Sequence, residues 1–311
     1  MEAPHNPSRS LLAAEAHDPR VSVVTITHNR REELLRTLGH LTALPERPRV
    51  IVVDNGSSDD TVEAVRERFP QVDVVALEIN LGAAGRNLGV ERAKTPYVAF
   101  SDDDSWWASG ALTRIADVLD AHPRLAVAQG HILVGEEERD DPIHAEMADS
   151  PLPPEPDMPG HPVASFVGCV SVVRRSAFLA VGGFDERLLV GGEEEHLAAD
   201  LAAAGWSLAY IPEARGHHHA SSKRRRDARR RQGIRNTLWF AWLRRPLGSA
   251  VRRTLMMARR VPKDVVSARG FLDAARGLPW VLRERRVVPP HVERRLRLLD
   301  EPQMSSRRYR S

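Results

Sequence analysis

Between residues 21 and 104, short β-branched runs alternate with helix-like segments, and each run ends in polar residues. Val21-Ser22-Val23-Val24-Thr25-Ile26-Thr27 leads into His28-Asn29-Arg30. Arg49-Val50-Ile51-Val52-Val53 leads into Asp54-Asn55-Gly56-Ser57-Ser58, and Tyr97-Val98-Ala99-Phe100 into Ser101-Asp102-Asp103-Asp104. A further run covers Val72 to Ala76. Between them fall a helix with Leu34, Leu35, Leu38 and Leu41 on one face, a second from Thr61, and a third from about Asn80 to Lys94. Runs apolar on both faces are buried parallel strands. Their alternation with helices predicts right-handed βαβ units and a mainly parallel sheet, an α/β fold. Ligands bind beyond the carboxyl ends of such strands, so one crevice is expected to gather His28, Asp54 and the three aspartates.

Three consecutive carboxylates at a strand end repel one another, and burying any of them unpaired is costly. A hard divalent cation makes the arrangement favourable, because it takes oxygen ligands and holds a diphosphate alongside. A solvated turn capping the next helix is the plainer alternative. Other enzyme classes are disfavoured: the chain has no phosphate-cradling Gly-Lys-Ser/Thr loop, and no Gly-x-Gly turn follows the first strand.

These segments also carry a resemblance. Thr27-His28-Asn29-Arg30, Val53-Asp54-Asn55-Gly56-Ser57-Ser58-Asp59, Asn80-Leu81-Gly82 with Gly85-Arg86-Asn87, and Asp102-Asp103-Asp104 follow in that order. Gly182-Gly183-Phe184-Asp185-Glu186, Gly192-Glu193-Glu194 and Gly205-Trp206 continue it. The pattern resembles family 2 glycosyltransferases of the GT-A fold, in particular bacterial nucleotide-sugar-dependent enzymes of the rhamnosyltransferase-like group. The resemblance implies a nucleotide-sugar site built from Thr27, His28, Arg30, Asp54, Arg86 and Asp103. His28, where a Tyr is usual, would stack on the base, Asp54 would hydrogen-bond it, and Arg86 would lie near the base or diphosphate. It further implies a divalent metal, Mg or Mn, held by Asp104 and Asp102, which would neutralise charge on the leaving diphosphate. The donor would be a UDP-, dTDP- or GDP-sugar, and the acceptor a glycan or lipid-linked hydroxyl in cell-envelope synthesis. The family is inverting, with its general base in the acidic segment after the double glycine. Here that segment reads Glu193-Glu194-Glu195-His196; the matching position is Glu194, with Glu193 and Glu195 as rivals.

Phe166 to Val173 reads as a further strand and Arg175 to Val181 as a helix. Residues 131 to 162, acidic and then Pro-rich, read as a loop over the sheet. Ser207 to Ile211 reads as a final strand, followed by Pro212 and the run His217-His218-His219. The family often places a metal-binding His here; His218 fits best by spacing, with its neighbours as alternatives, and imidazole suits Mn better than Mg.

The net charge of +3 hides an asymmetry. Residues 223–311 hold 26 Lys and Arg against 7 Asp and Glu, a balance of +19, which leaves −16 for the remainder. Three units are expected: a mobile leader over 1–19, the GT-A domain over 20–222 and a basic amphipathic helical extension over 223–311. Cationic helices bearing Trp239, Phe240 and Trp242 fit an anionic membrane surface. No nucleic-acid motif is present, and the acidic half would repel phosphate, so no nucleic-acid partner is expected. The single Cys169 and the lack of an apolar leader or spanning run fit a cytoplasmic protein, peripheral at the inner face of the cell membrane. The rival to an enzyme is a non-catalytic, membrane-attached GT-A-like module that binds glycan or nucleotide.

Overall fold

The computed structural model describes residues 18–219 and 226–305. Nearly all of the leader, and residues 223–225 of the basic run, lie outside the described residues. The first half runs β1 (Val21–Thr27), α1 (Arg31–Thr42), β2 (Arg49–Asp54), α2 (Thr61–Arg68), β3 (Asp73–Ala76), α3 (Gly85–Arg92) and β4 (Tyr97–Asp102). Then come β5 (Ser105–Trp107), α4 (Ala111–Ala121), β6 (Leu125–Val134), β7 (Arg139–Asp140), α5 (Ile143–Ala148) and β8 (His161–Pro162). The domain closes with β9 (Ser171–Arg174), α6 (Arg175–Ala180), α7 (Glu193–Ala203) and β10 (Ser207–His218).

One ten-stranded sheet has the main order β3-β2-β1-β4-β9-β6-β10-β5. Strands β3, β2, β1 and β4 are parallel, and β9 enters antiparallel between β4 and β6. Alternation of side chains along β1 and β2 sorts them onto two faces. Val21, Val23, Val50 and Val52 pack with Leu34, Leu38, Ile115 and Leu119 on one face. Val24, Ile51 and Val53 pack with Val90, Phe178, Leu197 and Leu201 on the other. Helices therefore cover both sides, and the polar strand ends are left along one rim.

Three expectations are revised. The strand expected from Phe166 shrinks to β9, because Val170 takes φ 54° and breaks the ladder. The Gln129 side chain braces this turn: its Oε1 accepts from Val167 N at 2.7 Å, and its Nε2 donates to Val170 O at 2.9 Å beside the bond from Gly130 N. Residues 131–134 belong to β6 rather than to a loop, and the insertion holds the helix α5. The final strand runs beyond Ile211 to His218; Pro212 cannot donate, so the ladder with β6 shifts register there and resumes at Arg215. The histidine run thereby lands at a strand end instead of in a loop.

The basic extension is packed, not appended loosely. It forms α8 (Arg226–Arg244), α9 (Leu247–Arg260), α10 (Val265–Arg276), α11 (Leu278–Arg283) and α12 (Pro290–Ser305). Trp239 and Phe240 are only 8% and 1% exposed, so these aromatics are not the membrane-facing groups that the sequence suggested. Trp239 joins a core with Leu188, Leu238, Met257 and Val281, and its indole donates to Ala274 O at 3.0 Å. Phe240 packs with Ala199 of α7 and with Val292 and Leu296. Arg244 grips Asp200 of α7 through two bonds of 2.5 and 2.8 Å. The Asn236 amide donates to the carbonyls of Leu188 and Gly191 at 2.8 and 2.6 Å, which fixes the loop entering α7. Phe240→Ala is accordingly expected to cost about 3–5 kcal/mol in a denaturant titration. A value below about 1 kcal/mol would mean that the helices do not share a core with the sheet.

Candidate active site

The rim is assembled from the ends of β1, β2, β4 and β10 and the first turn of α7. Thr27, closing β1, donates from Oγ1 to Asp103 Oδ2 at 3.1 Å. Arg30 forks between two carboxylates: Nη1 lies 2.6 Å from Asp103 Oδ1 and Nη2 2.9 Å from Asp104 Oδ2. Arg86, buried on α3, pairs with Asp102 and lies over the rings of Phe100 and Phe184, at 5.6 and 5.9 Å. Each aspartate of the triplet thus meets a cationic or hydroxyl partner, which is how three adjacent carboxylates are tolerated at one strand end.

Their protonation states diverge. Burial pushes Asp103 up to about 8; Arg30 opposes this, while the charges of Asp104 and Asp102 reinforce it. For Asp104 burial also favours the neutral form, but His218 and Arg30 outweigh it and hold the group below the usual carboxylate range. Asp104 is therefore held in its charged form. His218 Nε2 lies 3.4 Å from Asp104 Oδ1, and the next residue ties the strands by donating His219 N to Asp104 O at 2.8 Å. His217 and His219 turn instead onto the Trp106 ring, with His217 also 3.2 Å from Glu138. Of the three imidazoles, that of His218 faces Asp104.

Asp104 and His218 offer a hard oxygen and an imidazole nitrogen, a donor set that suits Mn. Asp102 is directed to Arg86, so it does not complete the set; among the described residues no three His, Cys, Asp or Glu groups form a ready metal cage. Asp54 is buried, and its two oxygens accept from Ser57, through N at 2.9 Å and Oγ at 2.5 Å. Its immediate work is thus to hold the turn after β2. His28 is exposed, with Nδ1 2.9 Å from Asn55 O.

Opposite the triplet stands the acidic turn of α7. Gly82, at φ 59°, approaches so closely that a Cβ there would fall 2.4 Å from Leu189 O. That approach lets Ala83 N donate to the same carbonyl at 2.7 Å, fastening the start of α3 to the loop before α7. Asn87 makes a second tie, to both backbone groups of Phe184. The three glutamates then separate. Glu193 is buried, and burial together with the charge of Glu194 pushes it up to about 8. Glu195 is 3.6 Å from Arg253. Glu194 is half-buried and its Oε1 accepts from Gly168 N at 3.2 Å. A Cβ on Gly168 would lie 3.2 Å from Arg86 Nη2 and 3.3 Å from Glu194 Oε1, so Arg86 and Glu194 flank that glycine. The three carboxylates thus have different surroundings: Glu193 is buried and held protonated near neutral pH, Glu195 faces Arg253, and Glu194 faces the loop at Gly168.

The Glu193 carboxyl has a pH signature. Its folded value lies above the ordinary 4.5, so between about 4.5 and 8 the folded chain keeps a proton that the unfolded chain has lost. Stability contributed by this group therefore falls as pH rises through that window. Glu193→Gln is expected to gain in melting temperature over the parent from pH 5 to pH 8.5. A constant difference across that range would show that Glu193 is not held protonated.

Gln129, Thr37 and Gly168 also belong to the site but have no motif. Thr37 Oγ1 donates to Asp103 O at 2.9 Å, and Gln129 shapes the loop that carries Gly168. Thr37 falls on the apolar face of α1, where a hydroxyl is the available hint.

The family model described as "Glycosyl transferase family 2" matches residues 22–182, the stretch that carries Thr27, Asp54, Arg86 and the triplet. The chain belongs to that family. It is a glycosyltransferase, and the reading of it as a non-catalytic module gives way. An N-acetylglucosaminyl-diphospho-decaprenol L-rhamnosyltransferase of Mycobacterium tuberculosis is 29% identical over 229 residues, covering 63% of this chain and 75% of the relative. A pre-mycofactocin glycosyltransferase of the same species is 33% identical over 234 residues, 68% of this chain and 47% of the relative. Among solved structures, a mannosyltransferase from Pyrobaculum calidifontis in complex with GDP-Man and Mn2+ superposes with a TM-score of 0.53 at 20% identity, covering 94% of this chain and 78% of the other. GalNAc-T7 with UDP, GalNAc and Mn2+ gives 0.57 at 16% identity, covering 85% and 56%. At such identities these two likenesses establish the GT-A fold of this glycosyltransferase and nothing finer.

Proposed function

We propose that this glycosyltransferase moves a sugar from a nucleotide diphosphate donor to an acceptor hydroxyl in one inverting, metal-assisted displacement, in the synthesis of a cell-envelope glycan. The observation that carries the reading is the pairing across one rim of a charged Asp104 beside His218 with Glu194 beside Gly168 and Arg86. Thr27, His28, Arg30, Asp54, Asp103 and Arg86 would receive the nucleotide and diphosphate. Asp104 and His218 would hold a divalent cation, Mn more readily than Mg, and Asp102 would serve the metal side only by leaving Arg86. When bound, the cation supplies charge neutralisation for the departing diphosphate. Arg30 and Arg86 add fixed positive charge beside it, where the low-dielectric rim strengthens their effect. Glu194 takes the proton of the acceptor hydroxyl as its oxygen attacks the anomeric carbon. The glycosidic bond forms on the face opposite the leaving nucleoside diphosphate, so the anomeric configuration inverts.

The relatives named above are consistent with a prenyl-diphosphate-linked acceptor, because one of them carries such an acceptor in its name. The test is release of nucleoside diphosphate from UDP-, dTDP- and GDP-sugars with Mn, with Mg and with EDTA. Metal-dependent release from one of the donors is expected. Equal release in EDTA would remove the metal from the account, and no release from any donor would remove the donor class.

A further inference from the structure

With Trp239 and Phe240 turned inward, the large apolar side chains that the extension leaves exposed among the described residues are aliphatic, and α9 gathers three of them on one face. Leu247, Val251 and Leu255 recur every fourth residue, share one side of the helix and are 61%, 45% and 51% exposed. Arg252 and Arg259, seven residues apart, run along the edge of that stripe; both are exposed, and neither makes an ion pair among the described residues. The opposite face, Ala250, Arg253 and Met257, is buried. An apolar stripe edged by unpaired arginines is a poor surface to leave in water. It matches the boundary between acyl chains and anionic head groups, where both components are stabilised together.

We propose that this face of α9 is the docking surface of the glycosyltransferase on an anionic phospholipid bilayer. Charge complementarity selects this occupant over a second copy of the chain, because two such faces would bring four arginines together. No helix among the described residues is long and apolar enough to cross a membrane, so attachment is in the plane of the interface. The inner side of the same helix reaches the active site: Arg253 lies 3.6 Å from Glu195, the neighbour of Glu194. Docking through α9 would therefore set the catalytic rim at a fixed position relative to the lipid surface. The inference does not rest on the donor-site reading, since none of its residues belongs to that site.

The experiment uses the full chain, its Leu247→Ser/Val251→Ser/Leu255→Ser variant and its Arg252→Glu/Arg259→Glu variant. Each is sedimented with vesicles of phosphatidylglycerol and phosphatidylcholine, and with phosphatidylcholine alone, over a salt series. Unchanged melting temperatures establish that the variants are folded. The parent is expected to bind the anionic vesicles, and each variant to bind at least about tenfold more weakly. Salt should release the parent in part, while the apolar component persists. Binding by both variants equal to the parent's, or no binding by the parent, overturns the proposal. So does loss of a dimer in the serine variant without lipid, which would assign the face to a second copy.

Discussion

Glu194→Gln should bind donor as the parent does and lose about 10²- to 10⁴-fold in transfer, the range typical of removing a general base. The two side chains are nearly isosteric, and the amide oxygen can still accept from Gly168 N, so the loop around Gly168 should keep its place. What disappears is the ability to take a proton. The neighbouring substitutions act as controls because their environments differ. Glu193→Gln replaces a group already held protonated, so its transfer rate near neutral pH should change little. Glu195→Gln weakens a contact to Arg253, and its effect should appear in stability before it appears in rate. The measurement is single-turnover transfer for the three variants side by side. Parent-like turnover in Glu194→Gln, with the loss in either neighbour, would move the base to that neighbour.

Asp104→Asn should weaken metal-supported donor binding by more than about 100-fold, since even groups that merely orient a metal ligand contribute about 10- to 100-fold. The fold should survive, because Arg30 keeps Asp103 as a partner and the backbone link from His219 N to Asp104 O is untouched. The loss should be specific to the divalent ion: binding of nucleotide measured in EDTA should be equally weak in parent and variant. Calorimetric titration with Mn and nucleoside diphosphate reads both quantities. Tight metal-supported binding in Asp104→Asn would remove this residue from the cation's ligands.

Much of this arrangement was written in local sequence. The strands β1, β2 and β4 are β-branched runs with polar ends, and placing Thr27, Asp54 and the triplet on one rim needs only the rule that parallel strands point the same way. What was hidden depends on partners distant in sequence. Residues 131–134 look like the start of a polar insertion, and they become strand because residues 215–218 and, at 133–134, residues 139–140 pair with them. Val170 lies within an apolar run, yet it takes φ 54° in a turn that a buried Gln129, some forty residues earlier, braces through its side-chain amide. The same holds for charge. Glu193, Glu194 and Glu195 are chemically alike in the sequence, and they divide into a buried acid, a carboxylate at Gly168 and a partner of Arg253 through their facing on the first turn of α7. The tail misleads most instructively. Its Trp and Arg content suggests a lipid-facing helix, but α8 turns Phe240 onto α7 and Trp239 onto α10 and α11, and the apolar residues left outside are aliphatic, three of them in one stripe on α9.

The central claim is that Asp104, His218 and the surrounding rim bind a nucleoside diphosphate through a divalent cation. It is tested most directly by titrating UDP, dTDP and GDP into the unmodified chain with Mn present and with Mn chelated. The account predicts saturable binding of one of the three with Mn and at least about tenfold weaker binding without it. Binding of none of them, or binding of equal strength after chelation, would contradict it.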